Sequence, residues 1–509
     1  MSSEKHSAVY FQGRPPSQKP AIVFLTNRWT EVTDFVRMGR HPAGTASVCK
    51  TWKHFARRGW DVHVLVLSDD PCPSKPWRTR ELNGITFYWL QRTAGRFRAW
   101  CDSHQIPLVH WVLTPFDWIK TYWTIGRYLP RADVYYSMRH AWGIVAWSFA
   151  RMNSAKCVVR YFGNFVYPAW RDKSLTKIIK TAPCLLVMKW PVDLHIITQD
   201  GSYGARVFQR LHVGPEKWRA WMNGANKAPD VVRPDAVQTR RRLGLAPKSN
   251  ILLSISRLST TKRQDRIIKA LPRILKEFPN THLVLIGDGA KRHDLESLVE
   301  ALNLSSNVSF LGAIPNRQLH DYLHACDIFF QPNDHSSLST TLIEALTAGC
   351  CCVVRNAGEV DAIIDNGNNA ILLDPGEAED LGKAALQLLR SPRERQELGM
   401  RAFADALNRF QTWEERLDME VDEISRLCGV ERMAEISSFD TNEDDYGGTL
   451  GTSSRSAGRG VRTIKGVTLR ILGRLARRLR WGLTTLSSCP SPTIRGQRAH
   501  TAINRVESR

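Results

Sequence analysis

Residues suited to binding a diphosphate lie at the ends of apolar runs in the second half of this chain. Arg257 and Lys262 follow one run and Gly287 follows the next, while a serine and threonine cluster opens the helical pattern that carries Glu344. Cationic side chains and the free N–H groups at a helix start bind phosphate oxygens, and glycine lets the backbone approach a ligand. Together these residues predict a nucleotide-binding site. The cluster consists of Ser339, Thr340 and Thr341.

Apolar runs that alternate with helical patterns must position these side chains. Amphipathic segments such as residues 264–278 and 295–302 separate runs that have the length and composition of strands. Strands joined by helix-length crossovers form a parallel sheet covered on both faces, and such sheets bind ligands at the carboxyl ends of their strands. The predicted strands are residues 251–256, 282–287, 308–312, 328–332, 351–355 and 370–375.

Five short segments occur in this region in a characteristic order. They are Ser256-Arg257-Leu258 with Lys262, Leu285-Ile286-Gly287-Asp288-Gly289, Phe310-Leu311-Gly312, Ala325-Cys326-Asp327, and Leu342-Ile343-Glu344-Ala345. In this order they resemble the donor half of the glycogen-synthase-like retaining glycosyltransferases, family 4, also called glycosyl transferases group 1. The resemblance extends, more faintly, from Ala21 to about Leu427.

The resemblance implies an α/β fold of the GT-B type, in which two Rossmann-like domains face each other across a cleft. It also implies transfer of a sugar from a nucleotide-sugar donor with retention of configuration, with Arg257 and Lys262 as the catalytic cations and Glu344 bound to the ribose hydroxyls. Fixed cations and a helix dipole would meet the charge on the leaving group, so neither a metal nor another cofactor is expected. The expected donor-binding residues are Gly44, Gly287, Asp334, Ser339, Thr340, Thr341 and Glu344.

The first half of the chain shows the same alternation. A run at residues 21–26 leads through a turn to a helical pattern at 46–58 and a second run at 61–67, which predicts a βαβ unit. In the resembled family a glycine-rich loop at this turn lies beneath the donor and the acceptor. Here Gly44 is present and Thr45 replaces the usual second glycine. Further strands are predicted at residues 134–138, 157–162 and 194–198.

Length and composition favour two domains. A chain of 509 residues is too long for one core, and its 43% hydrophobic and 24% charged residues are typical of water-soluble globular proteins. The sequence has no spanning apolar run and no secretory signal pattern, and its eleven cysteines favour reduced thiols, so a cytoplasmic protein is expected. The predicted parts are a flexible tail at 1–20, an acceptor-side Rossmann-like domain at 21–226, a linker at 227–250, a donor domain at 251–427 and a basic tail at 428–509.

Two departures from the family pattern keep other functions open. Ser336 stands where the first of two family glutamates is usual, so Asp334 is predicted to contact the transferred sugar instead. Phe162 stands before Gly163 where many members have a His-Gly pair. The alternatives are a non-catalytic nucleotide-sugar-binding or scaffold protein, and a sugar-nucleotide epimerase or a phosphorylase on the same fold.

The acceptor is expected to be a glycan or a lipid-linked molecule. A tryptophan-rich region at residues 93–170 could stack on sugar rings or lie at a membrane interface, although most of these side chains are expected in the core. Strand ends that would face the cleft supply the candidate acceptor contacts. These are Arg160, Tyr161, Gly163 and Asp200.

The basic tail carries a large share of the charge. The formal net charge is +22, and residues 446–509 contain thirteen Lys or Arg and one Glu. Within the tail, residues 461–486 can form an amphipathic helix with an arginine-rich face, which suits the cytoplasmic surface of an anionic membrane and predicts peripheral attachment. A solvated tail is the alternative. Nucleic acid is an unlikely partner, because no recognised binding motif accompanies the charge.

Overall fold

The computed structural model describes two α/β halves, each built on one sheet. Apolar clusters cover both faces of each sheet, as parallel sheets require. Gly44, Ser336 and the predicted tail helix at 461–486 lie outside the described part of the chain. The structure describes residues 19–27, 46–68, 80–82, 84–93, 108–163, 166–226, 235–335 and 337–431.

Within the described residues, the N-terminal sheet has eight strands in the order β3-β4-β2-β1-β5-β6-β7-β8. Every neighbouring pair is parallel except β3 and β4. Runs of valine, isoleucine and aromatic residues form these strands because such side chains pack well on a covered sheet. The strands are β1 Ala21–Asn27, β2 Asp61–Ser68, β3 Arg80–Leu82, β4 Ile85–Gln91, β5 Val134–Ser137, β6 Lys156–Tyr161, β7 Leu194–Thr198 and β8 Trp218–Trp221.

Helices of the N-terminal half connect these strands and cover the sheet. The predicted helix at 46–58 is confirmed and begins two residues after Gly44 in the chain. No helix among the described residues is long and apolar enough to cross a bilayer. The helices are α1 Ala46–Arg57, α2 Leu108–Tyr128, α3 Gly143–Met152, α4 Val166–Arg171, α5 Leu175–Met188 and α6 Gly204–Arg210.

The C-terminal sheet has six parallel strands in the order β11-β10-β9-β12-β13-β14. All six predicted strands are present, with bounds that differ from the prediction by at most two residues. The order reverses direction between β9 and β12, which is where the carboxyl ends of a parallel sheet open a crevice for a ligand. The strands are β9 Asn250–Ile255, β10 Thr281–Ile286, β11 Val308–Gly312, β12 Ile328–Gln331, β13 Cys352–Arg355 and β14 Ile371–Leu373.

The segment predicted as a linker contains a helix. Arg240 of this helix donates to the carbonyl of Ala325 at 2.8 Å and to the carboxylate of Asp327 at 2.8 Å, so the helix is anchored to the C-terminal half. The polar sequence of this segment predicted a hinge. The helix can pack against the C-terminal half because Asp327 neutralises the charge of the buried Arg240. The helices of this half are α7 Ala236–Arg242, α8 Gln264–Glu277, α9 Arg292–Ala301, α10 Asn316–Ala325, α11 Thr340–Thr347, α12 Ala378–Arg390 and α13 Pro392–Arg409.

The last described helix, α14 (Trp413–Cys428), returns to the N-terminal sheet. Val421 and Ile424 join the same apolar cluster as Ile22 and Phe24 of β1. The sequence placed this helix in the donor domain, whereas its packing assigns it to the N-terminal half.

A buried charge network fixes α14 to the N-terminal sheet. Glu420 accepts hydrogen bonds from Arg160 of β6 at 3.3 Å and from Tyr136 of β5 at 2.6 Å, and it pairs with Arg416 at 3.1 Å. Burial alone would raise the pKa of Glu420, but the charges of Arg160 and Arg416 outweigh it and hold the pKa below its ordinary value. The carboxylate therefore stays ionised inside the protein.

Candidate active site

The two predicted catalytic cations lie on the loop that follows β9. Arg257 is exposed and Lys262 is half-buried. The side chain of Gln264 donates to the carbonyl of Arg257 at 3.1 Å and to the Ser256 hydroxyl at 2.6 Å, and the backbone N–H of Lys262 donates to the carbonyl of Ser259 at 3.1 Å. These bonds hold the loop in one conformation at the carboxyl end of the sheet.

Lys262 interacts electrostatically with a carboxylate from the other half of the protein. Burial lowers the pKa of the Lys262 ammonium; the carboxylate of Asp200 opposes that effect, and the Arg257 guanidinium adds to it. Asp200 follows β7 in the N-terminal half, whereas both cations belong to the C-terminal half. The site is therefore assembled from both halves of the chain.

Gly287 has a position that only glycine can occupy. Its φ is +128°, and a Cβ atom there would lie 2.1 Å from the carbonyl oxygen of Ser256. The sequence predicted that glycine would let the backbone approach a ligand. In the structure, Gly287 instead lets the loop after β10 pack against the loop that contains Arg257. Any larger residue would push the two loops apart.

The start of α11 lies beside Asn223, which follows β8 in the chain. The hydroxyl of Ser339 accepts from the N–H of Leu342 at 3.1 Å and so caps the helix, and Thr341 lies 3.1 Å from the same hydroxyl. The hydroxyl of Thr340 accepts from the side chain of Asn223 at 3.4 Å. Backbone N–H groups in a first helical turn have no partner within the helix and favour an anion.

Glu344 is only 2% exposed, which excludes an ordinary helix-surface position. Its carboxylate accepts a hydrogen bond from the side chain of Asn226 at 3.0 Å. The carbonyl oxygen of the same Asn226 side chain accepts from the ammonium of Lys50 on α1 at 3.1 Å. A chain of polar contacts therefore links α1, the segment after β8 and α11.

The two halves touch along one edge of the site. The carbonyl of Asp200 accepts from the N–H of Leu338 at 3.1 Å. The N–H of Tyr203 donates to Glu359 at 3.0 Å, and its hydroxyl donates to the carbonyl of Gly358 at 2.5 Å. The loop after β7 is thereby tied to the loops that follow β12 and β13.

The C-terminal half matches a known family by sequence. Residues 236–405 match the family described as glycosyl transferases group 1. The predicted resemblance is confirmed for this part of the chain, which we call the glycosyltransferase domain.

Two curated relatives match at low identity. The chain is 26% identical over 178 residues to N-acetyl-alpha-D-glucosaminyl L-malate synthase of Bacillus anthracis, covering 35% of this chain and 46% of the relative. It is 28% identical over 197 residues to the GDP-mannose-dependent alpha-(1-6)-phosphatidylinositol monomannoside mannosyltransferase of Mycolicibacterium smegmatis, covering 37% of this chain and 50% of the relative. The chain thus spans half or less of the length of these relatives.

A solved structure shares the fold of both halves of the protein. Sucrose-phosphate synthase from Thermosynechococcus elongatus superimposes with a TM-score of 0.64 at 18% identity, covering 81% of this chain and all of the other. Two parallel sheets with alternating helices are the GT-B architecture, so the predicted fold class is correct.

Two of the four predicted acceptor residues lie in the core. Arg160 is buried and bound to Glu420, and Tyr161 is buried with its hydroxyl 3.2 Å from Nδ1 of His195. Successive residues of a strand point to opposite faces, and helices cover both faces of β6. Neither side chain can therefore face the cleft, and both assignments are wrong.

Beyond the end of β6, the other two acceptor candidates lie together. Gly163 has a φ of +83°, and a Cβ atom there would lie 2.5 Å from Oδ2 of Asp200. The absence of a side chain at Gly163 leaves room for the carboxylate that faces Lys262. Their contact with an acceptor stays a prediction.

Asp334 is engaged by three arginines. Its carboxylate lies 3.2 Å from Arg263, 2.7 Å from Arg266 and 3.1 Å from Arg355. Burial opposes ionisation of Asp334, but hydrogen bonds from Arg266 and Arg263 outweigh it and lower the pKa. Asp334 thus anchors its loop, and its predicted contact with a transferred sugar remains untested.

Lys50, Tyr203 and Glu359 line the join between the halves and were missed by the sequence analysis. The available signal was that Lys50 lies near the start of the helical pattern that follows Gly44 in the sequence. For metal binding, the described residues bring together no group of three His, Cys, Asp or Glu side chains suited to an ion. Independence from metal stays a prediction.

Proposed function

We propose that this protein transfers a sugar from a nucleotide-sugar donor to a glycan or lipid-linked acceptor with retention of configuration. The supporting observation is that Arg257, Lys262 and the start of α11 lie at the carboxyl end of the glycosyltransferase domain sheet, facing Asp200. The phosphatidylinositol monomannoside mannosyltransferase that the chain resembles is GDP-mannose-dependent by name, and its name gives a lipid-linked acceptor. Both features are consistent with the proposal.

The proposed chemistry requires charge stabilisation at the leaving group. As the anomeric C–O bond breaks, negative charge develops on the diphosphate, and preorganised cations and N–H donors stabilise that charge. Arg257, Lys262 and the first turn of α11 supply them, while Glu344 accepts hydrogen bonds from the ribose. The leaving diphosphate takes the proton of the attacking hydroxyl on the same face of the sugar, so no carboxylate nucleophile is needed.

Nucleoside diphosphates test the proposal directly. A ligand at a hundred times its dissociation constant stabilises a protein by about 2.7 kcal/mol, which raises the melting temperature measurably. We expect one nucleoside diphosphate among UDP, GDP, ADP and dTDP to stabilise the full-length protein, and the matching nucleotide sugars to be consumed when acceptors are added. Binding without transfer to any acceptor would favour the scaffold alternative. No stabilisation by any of the four would contradict the proposal.

Glu344→Gln is expected to weaken nucleoside diphosphate binding about tenfold while the melting temperature changes little. The substitution keeps the shape of the side chain and its hydrogen bond to Asn226, but it removes the charge that strengthens hydrogen bonds from the ribose. Calorimetric titration measures the affinity. A large loss of stability with unchanged affinity would instead assign Glu344 to packing.

We further infer peripheral attachment to an anionic membrane, which α2 supports. Phe116, Ile119 and Trp123 of this helix are 56%, 63% and 69% exposed, and their spacing places them on one helical face. Exposed Arg127 follows on the same helix and exposed Arg131 lies just beyond it. Exposed apolar side chains beside cations suit the interface of an anionic bilayer.

Vesicle binding separates this face from the basic tail. Each arginine near an anionic surface contributes about 1 kcal/mol, and salt screens it within about 10 Å at 0.1 M, so binding of the full-length protein should fall steeply with salt. A chain ending at Glu431, beyond α14, should bind less and with a weaker salt dependence, because it keeps Arg127 and Arg131 but lacks the basic tail. Ile119→Ser with Trp123→Ala should remove that residual binding, whereas Met400→Ser, at an exposed apolar side chain of α13, should not. Undiminished binding by the α2 variant would contradict a role for α2.

A further inference from the structure

A cavity of about 590 Å³ opens between the two halves, beside the loop that follows β12. Its volume lies within the roughly 300–1,000 Å³ typical of small-molecule sites. The N-terminal half contributes Arg171 and Tyr203, and the glycosyltransferase domain contributes the rest of the wall. The polar side chains from that domain are Arg266, Asp334, His335, Arg355 and Asn356.

The cavity adjoins the proposed diphosphate site but is not part of it. The N–H of Asp334 donates to the carbonyl of Thr261 at 2.9 Å, next to Lys262 in the chain. Tyr203 follows Asp200, the carboxylate that faces Lys262, by three residues. Neither Lys262 nor Glu344 lines the cavity. A ligand here would lie beside the donor, where a second substrate is needed.

The charge of the wall is positive. Three guanidinium groups face one carboxylate among the lining residues, and that carboxylate, Asp334, is already held by Arg263, Arg266 and Arg355. Arg266 is further engaged by Glu377, with both carboxylate oxygens within 2.8 Å of its nitrogens. Of the three lining arginines, Arg355 and Arg171 therefore provide most of the positive charge that a ligand in the cavity can meet.

Arg171 and Arg355 differ from Arg266 in their access to solvent. The side chain of Arg171 is 56% exposed and its partner Asp172 lies 3.2 Å away on the surface, where an ion pair contributes little. Arg355 is partly exposed and bridges Asp334 and the carbonyl of Pro375. Both guanidinium groups can accept an additional anion without breaking a buried pair.

The polarity of the wall restricts the rest of the ligand. Ala357 provides the one aliphatic side chain among the lining residues, whereas Asn356, His335 and Tyr203 provide hydrogen-bonding groups. Such a wall suits a hydroxylated molecule better than an acyl chain. A lipid could place its headgroup here, with its chains outside.

We infer that this cavity binds an acceptor that carries a phosphate ester or a carboxylate, with the anion between Arg171 and Arg355. The inference rests on the proposed function and specifies its acceptor. In the reaction, an acceptor hydroxyl oxygen bonds to the anomeric carbon, the bond from that carbon to the diphosphate breaks, and the hydroxyl proton passes to the diphosphate. The products are a glycoside of the anionic acceptor and a nucleoside diphosphate.

Anion binding is tested on the full-length protein saturated with the nucleoside diphosphate that stabilises it. Glucose 6-phosphate, inositol 1-phosphate and inorganic phosphate are titrated beside neutral glucose and inositol. We expect at least one anion to bind at least tenfold more tightly than its neutral counterpart or, for inorganic phosphate, than glucose. A second arm compares vesicles of phosphatidylinositol with vesicles of phosphatidylglycerol. Preference for phosphatidylinositol would identify a lipid headgroup as the ligand of the cavity. Binding of free phosphate compounds alone would identify a small-molecule acceptor.

Two variants locate the binding site. Arg171→Gln and Arg355→Gln should each weaken anion binding at least tenfold. Arg390 is a surface arginine paired with Glu277, and Arg390→Gln should leave anion binding unchanged. Nucleoside diphosphate affinity should be the same in all three proteins. Unchanged anion affinity in both cavity variants, or equal binding of neutral sugars, would overturn this inference alone. Failure of the parent to bind any nucleoside diphosphate would count against the proposed function instead.

Discussion

Replacing Lys262 with alanine is expected to slow sugar transfer about a hundredfold while the protein stays folded. Losing one preorganised charge contact to a developing anion typically costs on the order of 3 kcal/mol in the barrier, which is about two orders of magnitude in rate. Arg257→Ala should act in the same direction for the same reason. Steady-state rates at saturating donor and acceptor measure the effect.

A matched control separates this role from surface charge. Lys269→Ala removes an exposed ammonium of α8 that pairs only with Asp265 at 3.4 Å among the described residues, and it should keep the parent rate. If both Lys262→Ala and Arg257→Ala keep rates within a factor of two of the parent, these residues do not bind the leaving diphosphate.

The pH profile gives an independent measure of Lys262. Because burial lowers the pKa of its ammonium, the charge is present at low pH and is lost as the pH rises through a value below that of an ordinary lysine. The rate should therefore decline at alkaline pH. Lys262→Arg, which keeps its charge at any accessible pH, should lose this decline even if its rate is lower.

The strands of the glycosyltransferase domain could be predicted because a parallel sheet buries both faces. Runs such as residues 251–256 and 351–355 contain almost no charge, and the amphipathic segments between them mark the crossovers. Once these elements were placed, the carboxyl-end rule brought Arg257, Lys262 and Glu344 to one edge of the sheet. That part of the site follows from local patterns alone.

Contacts between distant segments could not be predicted in the same way. Arg160 was assigned to the cleft because it lies near the end of a predicted strand, where side chains were expected to face the cleft. Its true partner, Glu420, lies 260 residues away on a helix whose sequence resembles any amphipathic surface helix. The bond from Lys50 through Asn226 to Glu344 likewise joins three segments that no local pattern connects.

The largest effect on stability is expected for Glu420→Ala. Glu420 is fully buried, and its removal leaves the guanidinium groups of Arg160 and Arg416 buried without their counter-charge. Breaking a buried ion pair on one side typically costs about 3–5 kcal/mol, a large part of the total stability of a domain. Denaturant unfolding should show a lower midpoint for the variant. Glu414→Ala, at an exposed position on the same helix, should change the midpoint little.

The pH dependence of this loss identifies its electrostatic origin. The folded-state pKa of Glu420 is held below its ordinary value, so its stabilisation is fully present above the unfolded value of about 4.3 and is lost as the pH falls through the lower folded value. Glu420→Gln keeps the volume but not the charge. The difference in unfolding free energy between the parent and Glu420→Gln should therefore be constant near neutral pH and narrow in acid. A difference that stays constant below pH 4 would assign the loss to packing of α14, in which case Arg160 would owe its position to the fold of β6 and not to its pairing with Glu420.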